Sequence, residues 1–378
     1  MKDKKKVLLL GPAFPFRGGI ADTQNYLAQN LNALGHETHV YTFSTQYPKL
    51  LFPGRTQFSE EKAPDNLDIK RKIHSFNPFN WIEVARSINR LKPDYVIFRY
   101  WTPFLAPCWY GIAQRINKTI KKIGLVDNWN PHEIKFWDKT LTRIFSSQMN
   151  GFVSLSTAVG DQISYDKPYY PIWKGFHPIA DKLPKAISKE KARKVLSWPQ
   201  DKKIVLFFGL IRKYKGLDLL IEAFSQPPLN HSGVILAIVG EAYEPSEKYT
   251  RLIQKYKLSK RVICDFNYAN TQKSTLVFCA ADAVAQTYVS ATQSGVTPLA
   301  YYYKTPLLVS DLPGLKTPIL EDHTGMVTKI DPKKIAENIQ KILRDEMQLN
   351  FQDSFQKVEN KYSWKYFGQS LMYFMAKL

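Results

Sequence analysis

Residues 7–10, Val-Leu-Leu-Leu, form an apolar run that stops at Gly11-Pro12. No polar residue alternates within it, which suits a strand buried on both faces, as in a parallel sheet. A loop with Gly18-Gly19 follows. Residues 22–34 then carry Tyr26, Leu27, Leu31 and Leu34 at helical spacing, and Gly35 ends the pattern. Residues 39–43 read as the next strand. The chain therefore opens as a βαβ unit.

The same punctuation continues. Residues 81–91 read as a helix, 95–98 as a strand after the Pro93-Asp94 turn, 107–116 as a helix, and 123–126 and 152–155 as strands. The periodicity weakens around 172–202, where Pro171, Pro178, Pro184 and Pro199 fall among lysines, with a short helix expected at 189–196. A second series begins with the strand 204–208, which ends at Gly209. It continues through strands 234–239 (ending at Gly240), 262–264, 282–285 and 306–309, with helices at 217–224, 249–257 and 271–279. Two helices, 332–343 and 364–376, close the chain.

Alternation of this kind predicts the α/β class, with two Rossmann-like doubly wound parallel-sheet domains whose strand-end loops face one cleft. The expected domains are 1–180, 181–361 and a C-terminal helical segment, 362–378, crossing back to the first. A length of 378 residues suits two domains at roughly 100–200 residues each. A hydrophobic share of 44% supplies two cores and argues against disorder.

Cys108, Cys264 and Cys279 are scattered, which fits a reducing compartment and argues against a disulfide framework. Despite the basic start, residues 7–10 are too short for a signal-peptide core or a membrane span. The formal charge of +20 attracts polyanions, whether nucleic acid, an anionic bilayer or phosphorylated ligands. Lys70-Arg71-Lys72 and Lys118 with Lys121-Lys122 lie amid Phe76, Phe79 and Trp81, a mixture that suits a phospholipid interface. A helix packing its aromatics inward fits the same residues. No nucleic-acid motif accompanies the charge, so nucleic acid is not an expected partner.

Several segments carry candidate chemistry. Phe16-Arg17-Gly18-Gly19-Ile20 joins a strand to a helix, and its glycines would let backbone approach a phosphate or sugar; a tight structural turn reads the same way. In Gly209-Leu210-Ile211-Arg212-Lys213-Tyr214-Lys215-Gly216, two cations at a strand's carboxyl end can clamp a diphosphate, against the alternative of a solvated basic loop. Thr292-Gln293-Ser294-Gly295-Val296 leads into a helical stretch whose amides could hold phosphate oxygens, or it is a simple cap. Asp127-Asn128-Trp129-Asn130-Pro131-His132-Glu133 places a histidine after a strand, suited to a sugar hydroxyl or to a structural role. No histidine pair has metal-ligand spacing, so no metal is expected.

Taken together and in this order, with Val239-Gly240-Glu241 between them, these motifs resemble the family-four glycosyltransferases over nearly the whole chain, and in particular a subgroup of bacterial surface-polysaccharide clusters. The resemblance implies a GT-B fold and metal-independent, retaining transfer from a nucleotide-diphosphate sugar, which is a donor substrate rather than a cofactor. The implied acceptor is lipid-linked or a polysaccharide, and the implied location is cytoplasmic, peripheral on the anionic inner face of the plasma membrane. The resemblance assigns Arg212 and Lys215 to the donor diphosphate and His132 to the transferred sugar. It places Gly209, Glu241, Thr292, Gln293, Ser294, Gly295 and Val296 around the donor, Tyr268 by the base, and Gly18 and Gly19 by the donor phosphate or acceptor.

One departure stands out. Many relatives carry two glutamates eight positions apart, and the corresponding segment here, 292–300, has neither. Thr292 or Gln293 would hydrogen-bond the sugar instead. The same absence motivates the alternative of a catalytically degenerate, nucleotide-sugar-binding scaffold, and it weakens a sugar-nucleotide epimerase reading, which needs cleft carboxylates.

Overall fold

The computed structural model describes residues 4–47, 57–59, 62–131, 135–179, 183–358 and 360–378. The chain divides into two compact units, Met1–Pro178 with Ser363–Leu378, and Ile179–Tyr362.

The first unit runs β1 (Lys6–Leu10), α1 (Gly19–Ala33), β2 (Glu37–Thr45), β3 (Asp68–His74), α2 (Pro78–Leu91), β4 (Tyr95–Tyr100), α3 (Ala106–Ala113), β5 (Lys121–Val126), α4 (Asp138–Ser146), β6 (Gly151–Ser154), α5 (Thr157–Asp166) and β7 (Ile172–Lys174). These strands form one parallel sheet in the order β3-β2-β1-β4-β5-β6-β7. The second unit runs α6 (Lys189–Leu196), β8 (Ile204–Phe208), α7 (Leu217–Ala223), β9 (Ile235–Val239), α8 (Glu247–Lys255), β10 (Val262–Asp265), α9 (Thr271–Ala280), β11 (Ala283–Gln286), α10 (Val296–Tyr302), β12 (Leu307–Ser310), α11 (Pro313–Asp322), β13 (Gly325–Thr328), α12 (Pro332–Ile342) and α13 (Asp345–Val358). Its parallel sheet has the order β10-β9-β8-β11-β12-β13.

The strand residues Val7–Leu10, Ile204–Phe208 and Ile235–Val239 behave as their apolar runs demand. Leu8 and Leu10 pack into one helical layer and Val7 and Leu9 into the other. Burying each such side chain contributes about 1.5–3 kcal/mol. The last helix, α14 (Trp364–Met375), belongs to the first unit, where Trp364, Phe367, Leu371 and Met375 join Leu27 and Leu31 of α1 in one core.

The two sheets share one consequence of their order. The chain steps to one side of the first strand and then to the other, so the strand order reverses at β1/β4 and at β8/β11. The loops beyond the carboxyl ends diverge there and leave room for a ligand.

Several elements differ from the sequence expectation. β3 was not expected, and it absorbs the basic cluster 70–72. Arg71 donates to the carbonyls of Phe43 and Ser44, and Lys72 donates to Ser87 Oγ at 2.7 Å. Two of those three cations thus hold the sheet edge in place. β7, β13, α4, α5, α11 and α13 are also additions, so the tail has three helices where two were expected. No described helix is long and apolar enough to cross a membrane.

Candidate functional site

In the second unit the cations meet at the β8/β11 reversal. β8 ends at Phe208, and Gly209 turns the chain with φ +102°. Gly240, after β9, has φ +151°, and a Cβ there would fall 1.9 Å from the Gly209 carbonyl oxygen. Only glycine permits that approach. Ile211 and Tyr243 then exchange the pairing onward, with Ile211 N–H donating to the Glu241 carbonyl at 2.9 Å.

The basic loop is clamped against the end of β11. Thr287 Oγ1 donates to the Gly216 carbonyl at 3.0 Å, and Val289 N–H donates to the Tyr214 carbonyl at 2.8 Å. Gly216 has φ +61°, and a Cβ there would overlap Thr287 O at 2.1 Å. The clamp buries Lys215, which is only 8% exposed. Its ammonium lies 5.2 Å from the centre of the Tyr288 ring. Burial pushes its pKa below the ordinary lysine value, and the Arg212 charge adds to the fall. Arg212 is exposed and stacks 4.9 Å from the Tyr243 ring centre. Burial also raises the Tyr288 phenol to about 12, so it stays a neutral donor.

The segment 292–296 lies beside this lysine. Val296 Cγ2 comes within 3.6 Å of the position a Cβ on Gly209 would occupy, the same position that lies 3.2 Å from Lys215 Nζ. Ser294 Oγ meets Tyr288 Oη at 3.2 Å and accepts from Val296 N–H at 3.2 Å. Gly295 caps α10 and is exposed. Thr292 and Gln293 are half-buried, with the Thr292 carbonyl against Gly314 of α11. Glu241 is buried just after Gly240, and Tyr268 is exposed on the loop between β10 and α9. The structure therefore gathers Gly209, Arg212, Lys215 and Glu241 with Ser294–Val296 at one set of strand ends, while Tyr268 follows the outermost strand, β10. Tyr243, Thr287 and Tyr288 complete this set. The sequence signal for the last two was the Thr-Tyr pair directly after the strand Ala283–Gln286.

In the first unit the reversal at β1/β4 holds a buried ion pair. Arg99 Nη2 donates to Asp127 Oδ1 at 2.6 Å and to Thr23 Oγ1 at 3.0 Å, while Arg99 Nε donates to Asp127 Oδ2. His177 lies half-buried near this pair. Burial is the main cause that lowers its imidazole pKa to about 4, and the Arg99 charge adds to it. Gly18, with φ +107°, and Gly19 open α1. Among the described residues, a Cβ on either would meet nothing within 4 Å. His132 lies outside the described residues.

Residues 188–361 match the family model described as glycosyl transferases group 1. That span falls within the second unit. No curated protein matches the chain. Among solved structures, the chain is similar to sucrose-phosphate synthase from Thermosynechococcus elongatus, with TM-score 0.77 and 16% identity over 99% of each chain. It is similar to the Anabaena protein HepE in complex with UDP, with TM-score 0.73 and 14% identity over 99% of this chain and 100% of that one. It is also similar to WaaG, a glycosyltransferase of lipopolysaccharide biosynthesis, with TM-score 0.67 and 17% identity over 97% and 98%. The fold is that of the GT-B glycosyltransferases, as the resemblance implied.

Proposed function

We propose that this chain is a retaining glycosyltransferase that moves a sugar from a nucleotide-diphosphate donor to a lipid-linked or polysaccharide acceptor of a cell-surface glycan. The observation that carries the reading is Lys215: a cation buried at the strand-order reversal of the second unit, beside Arg212. Among the described residues no carboxylate pairs with this ammonium, which makes its burial costly, and a diphosphate would supply the missing charge. The HepE structure in complex with UDP and the WaaG structure add support at the level of fold.

In this reading, the bond from the anomeric carbon to the β-phosphate oxygen breaks while the acceptor oxygen bonds to that carbon from the same face. The acceptor proton passes to the departing phosphate oxygen. Lys215 and Arg212 offset the charge that grows there, so the reading needs no metal and assigns no general base. Tyr288, held neutral, and Ser294 present hydroxyls beside the phosphates. Glu241, Thr292 and Gln293 contact the sugar or ribose, Gly295 and Val296 line the phosphates, and Tyr268 receives the base. In the first unit, no described residue packs where a Cβ of Gly19 would lie, which suits close approach of an acceptor or phosphate to the start of α1. His132 is assigned to the transferred sugar. Peripheral association with an anionic membrane completes the reading.

The test is turnover of a nucleotide-sugar panel with and without a chelator. Lys215→Ala is expected to lower kcat about 100–1,000-fold with little change in melting temperature. Unchanged turnover in the variant would remove the diphosphate role given to Lys215, whereas donor binding without any turnover in the native chain would replace the enzyme with a binding scaffold.

A further inference from the structure

A groove of about 660 Å³ opens on the helical layer of the first unit, lined from α2, α3 and α4 rather than from the strand-end loops. Its floor depends on Gly111. A Cβ there would fall 2.4 Å from Trp81 Cε3, so glycine lets the indole lie against α3. Trp81 Nε1 donates to the His74 carbonyl at 2.9 Å, which fixes the ring's orientation. Ile82, Tyr110 and Ile144 make apolar walls. Phe79 stands at the rim, 80% exposed. Phe136 is 89% exposed beside Trp137 at the start of α4, and Phe76 and Phe104 pack together, both exposed, near the starts of α2 and α3.

Cations frame the same groove. Arg115 and Arg143 line it, and no carboxylate does among the described residues. Arg115 Nη1 donates to the Gly111 carbonyl at 2.6 Å, which holds the guanidinium over the groove. Lys139 and Lys118 are exposed on the same segments. An aromatic ring as exposed as Phe79, beside two guanidinium groups and an apolar groove, matches the interface of an anionic bilayer, where rings enter the acyl boundary and cations meet phosphates.

We propose that this groove seats one acyl chain of an anionic phospholipid, with Arg115 and Arg143 on its phosphate and Phe79 inserted beside it. The surface would hold the first unit on the membrane. This deepens the membrane part of the reading above and does not depend on its transfer chemistry, because vesicle binding and turnover are read separately.

The test uses the full chain and vesicles of phosphatidylcholine with or without phosphatidylglycerol, in co-sedimentation. Binding is expected only with the anionic lipid. Arg115→Gln and Arg143→Gln are each expected to weaken partitioning about fivefold. Phe79→Ser, at a site too exposed to matter for folding, is expected to weaken it about tenfold. Lys255→Gln with Lys341→Gln, exposed on the second unit, removes two charges away from the groove where each arginine variant removes one, and is expected to change binding less than about twofold. Lipids brominated in the acyl chain should quench tryptophan emission in the native chain and measurably less in Trp81→Phe. Melting temperatures establish that each variant folds. No binding to anionic vesicles, equal losses from the groove and control variants, or quenching indifferent to Trp81 would each overturn the proposal. In the last two outcomes, what remains is attraction of the whole +20 chain to the surface.

Discussion

Arg99 and Asp127 are almost fully buried and bind each other through two hydrogen bonds. Removing either partner would strand a charge inside the first unit, at a cost of about 3–5 kcal/mol. His177 feels the same surroundings, and its imidazole titrates near 4 rather than at the ordinary 6.5. The unfolded chain therefore takes up the proton first as pH falls. The stability that neutral His177 contributes is complete above about 6.5 and is lost as pH drops toward 4, by up to roughly 3 kcal/mol. Melting temperatures measured across that window should fall less steeply in His177→Gln than in the native chain; parallel slopes would remove His177 as the titrating group. None of this was legible from sequence. Arg99 is a single cation inside the strand Tyr-Val-Ile-Phe-Arg-Tyr, and its partner lies 28 positions away. His177 sits in a proline-marked connection where apolar periodicity gives no signal. Lys215 was legible because its neighbours, a strand end and two glycines, lie within one short segment. Its burial was not, since the clamp comes from Thr287 and Val289.

Elements with continuous apolar runs read clearly. β1, β8 and β9 are buried along their lengths, and their stops at Gly11, Gly209 and Gly240 mark where the strand-end loops begin. β3 escaped because it lies at the sheet edge, and its Lys70-Arg71-Lys72 breaks any apolar alternation. α11 carries Gly314 and Pro318 within ten residues, so its sequence reads as a loop. α13 buries only Phe351, Phe355 and Val358, too sparse a stripe to stand out. The joint between elements matters as much as the elements. Gly240→Ala would place a methyl group on the Gly209 carbonyl and force a strained φ, so a loss of about 3 kcal/mol or more is expected, together with weaker nucleotide binding. Gly233→Ala meets only the flexible Lys202 side chain at 3.6 Å and should stay within about 0.5 kcal/mol of the native chain. Equal melting temperatures for the two variants would refute the role given to that close approach.

Over the whole molecule, repetition is the informative feature. Two series of alternating strands and helices give two parallel sheets with the same reversal of strand order, and the fold class follows from periodicity alone. The two units differ in how far their chemistry can be read. The glycosyl transferases group 1 model covers residues 188–361 and none of the first unit. A net charge of +20 alone left nucleic acid, bilayer and phosphorylated ligands open. The structure locates three uses of cations: Lys215 at the strand ends, Arg71 and Lys72 inside the fold, and Arg115 and Arg143 on the groove.

The central claim is that the second unit holds a nucleoside diphosphate on Lys215 and Arg212. Its most direct test is calorimetric titration of a panel of nucleoside diphosphates into the native chain and into Lys215→Ala, with melting curves alongside. The account predicts that one diphosphate binds selectively, that at 100 times its Kd it adds about 2.7 kcal/mol of stability, and that Lys215→Ala loses the binding while melting as the native chain does without ligand. No binding by any diphosphate, or equal binding by the variant, would contradict it.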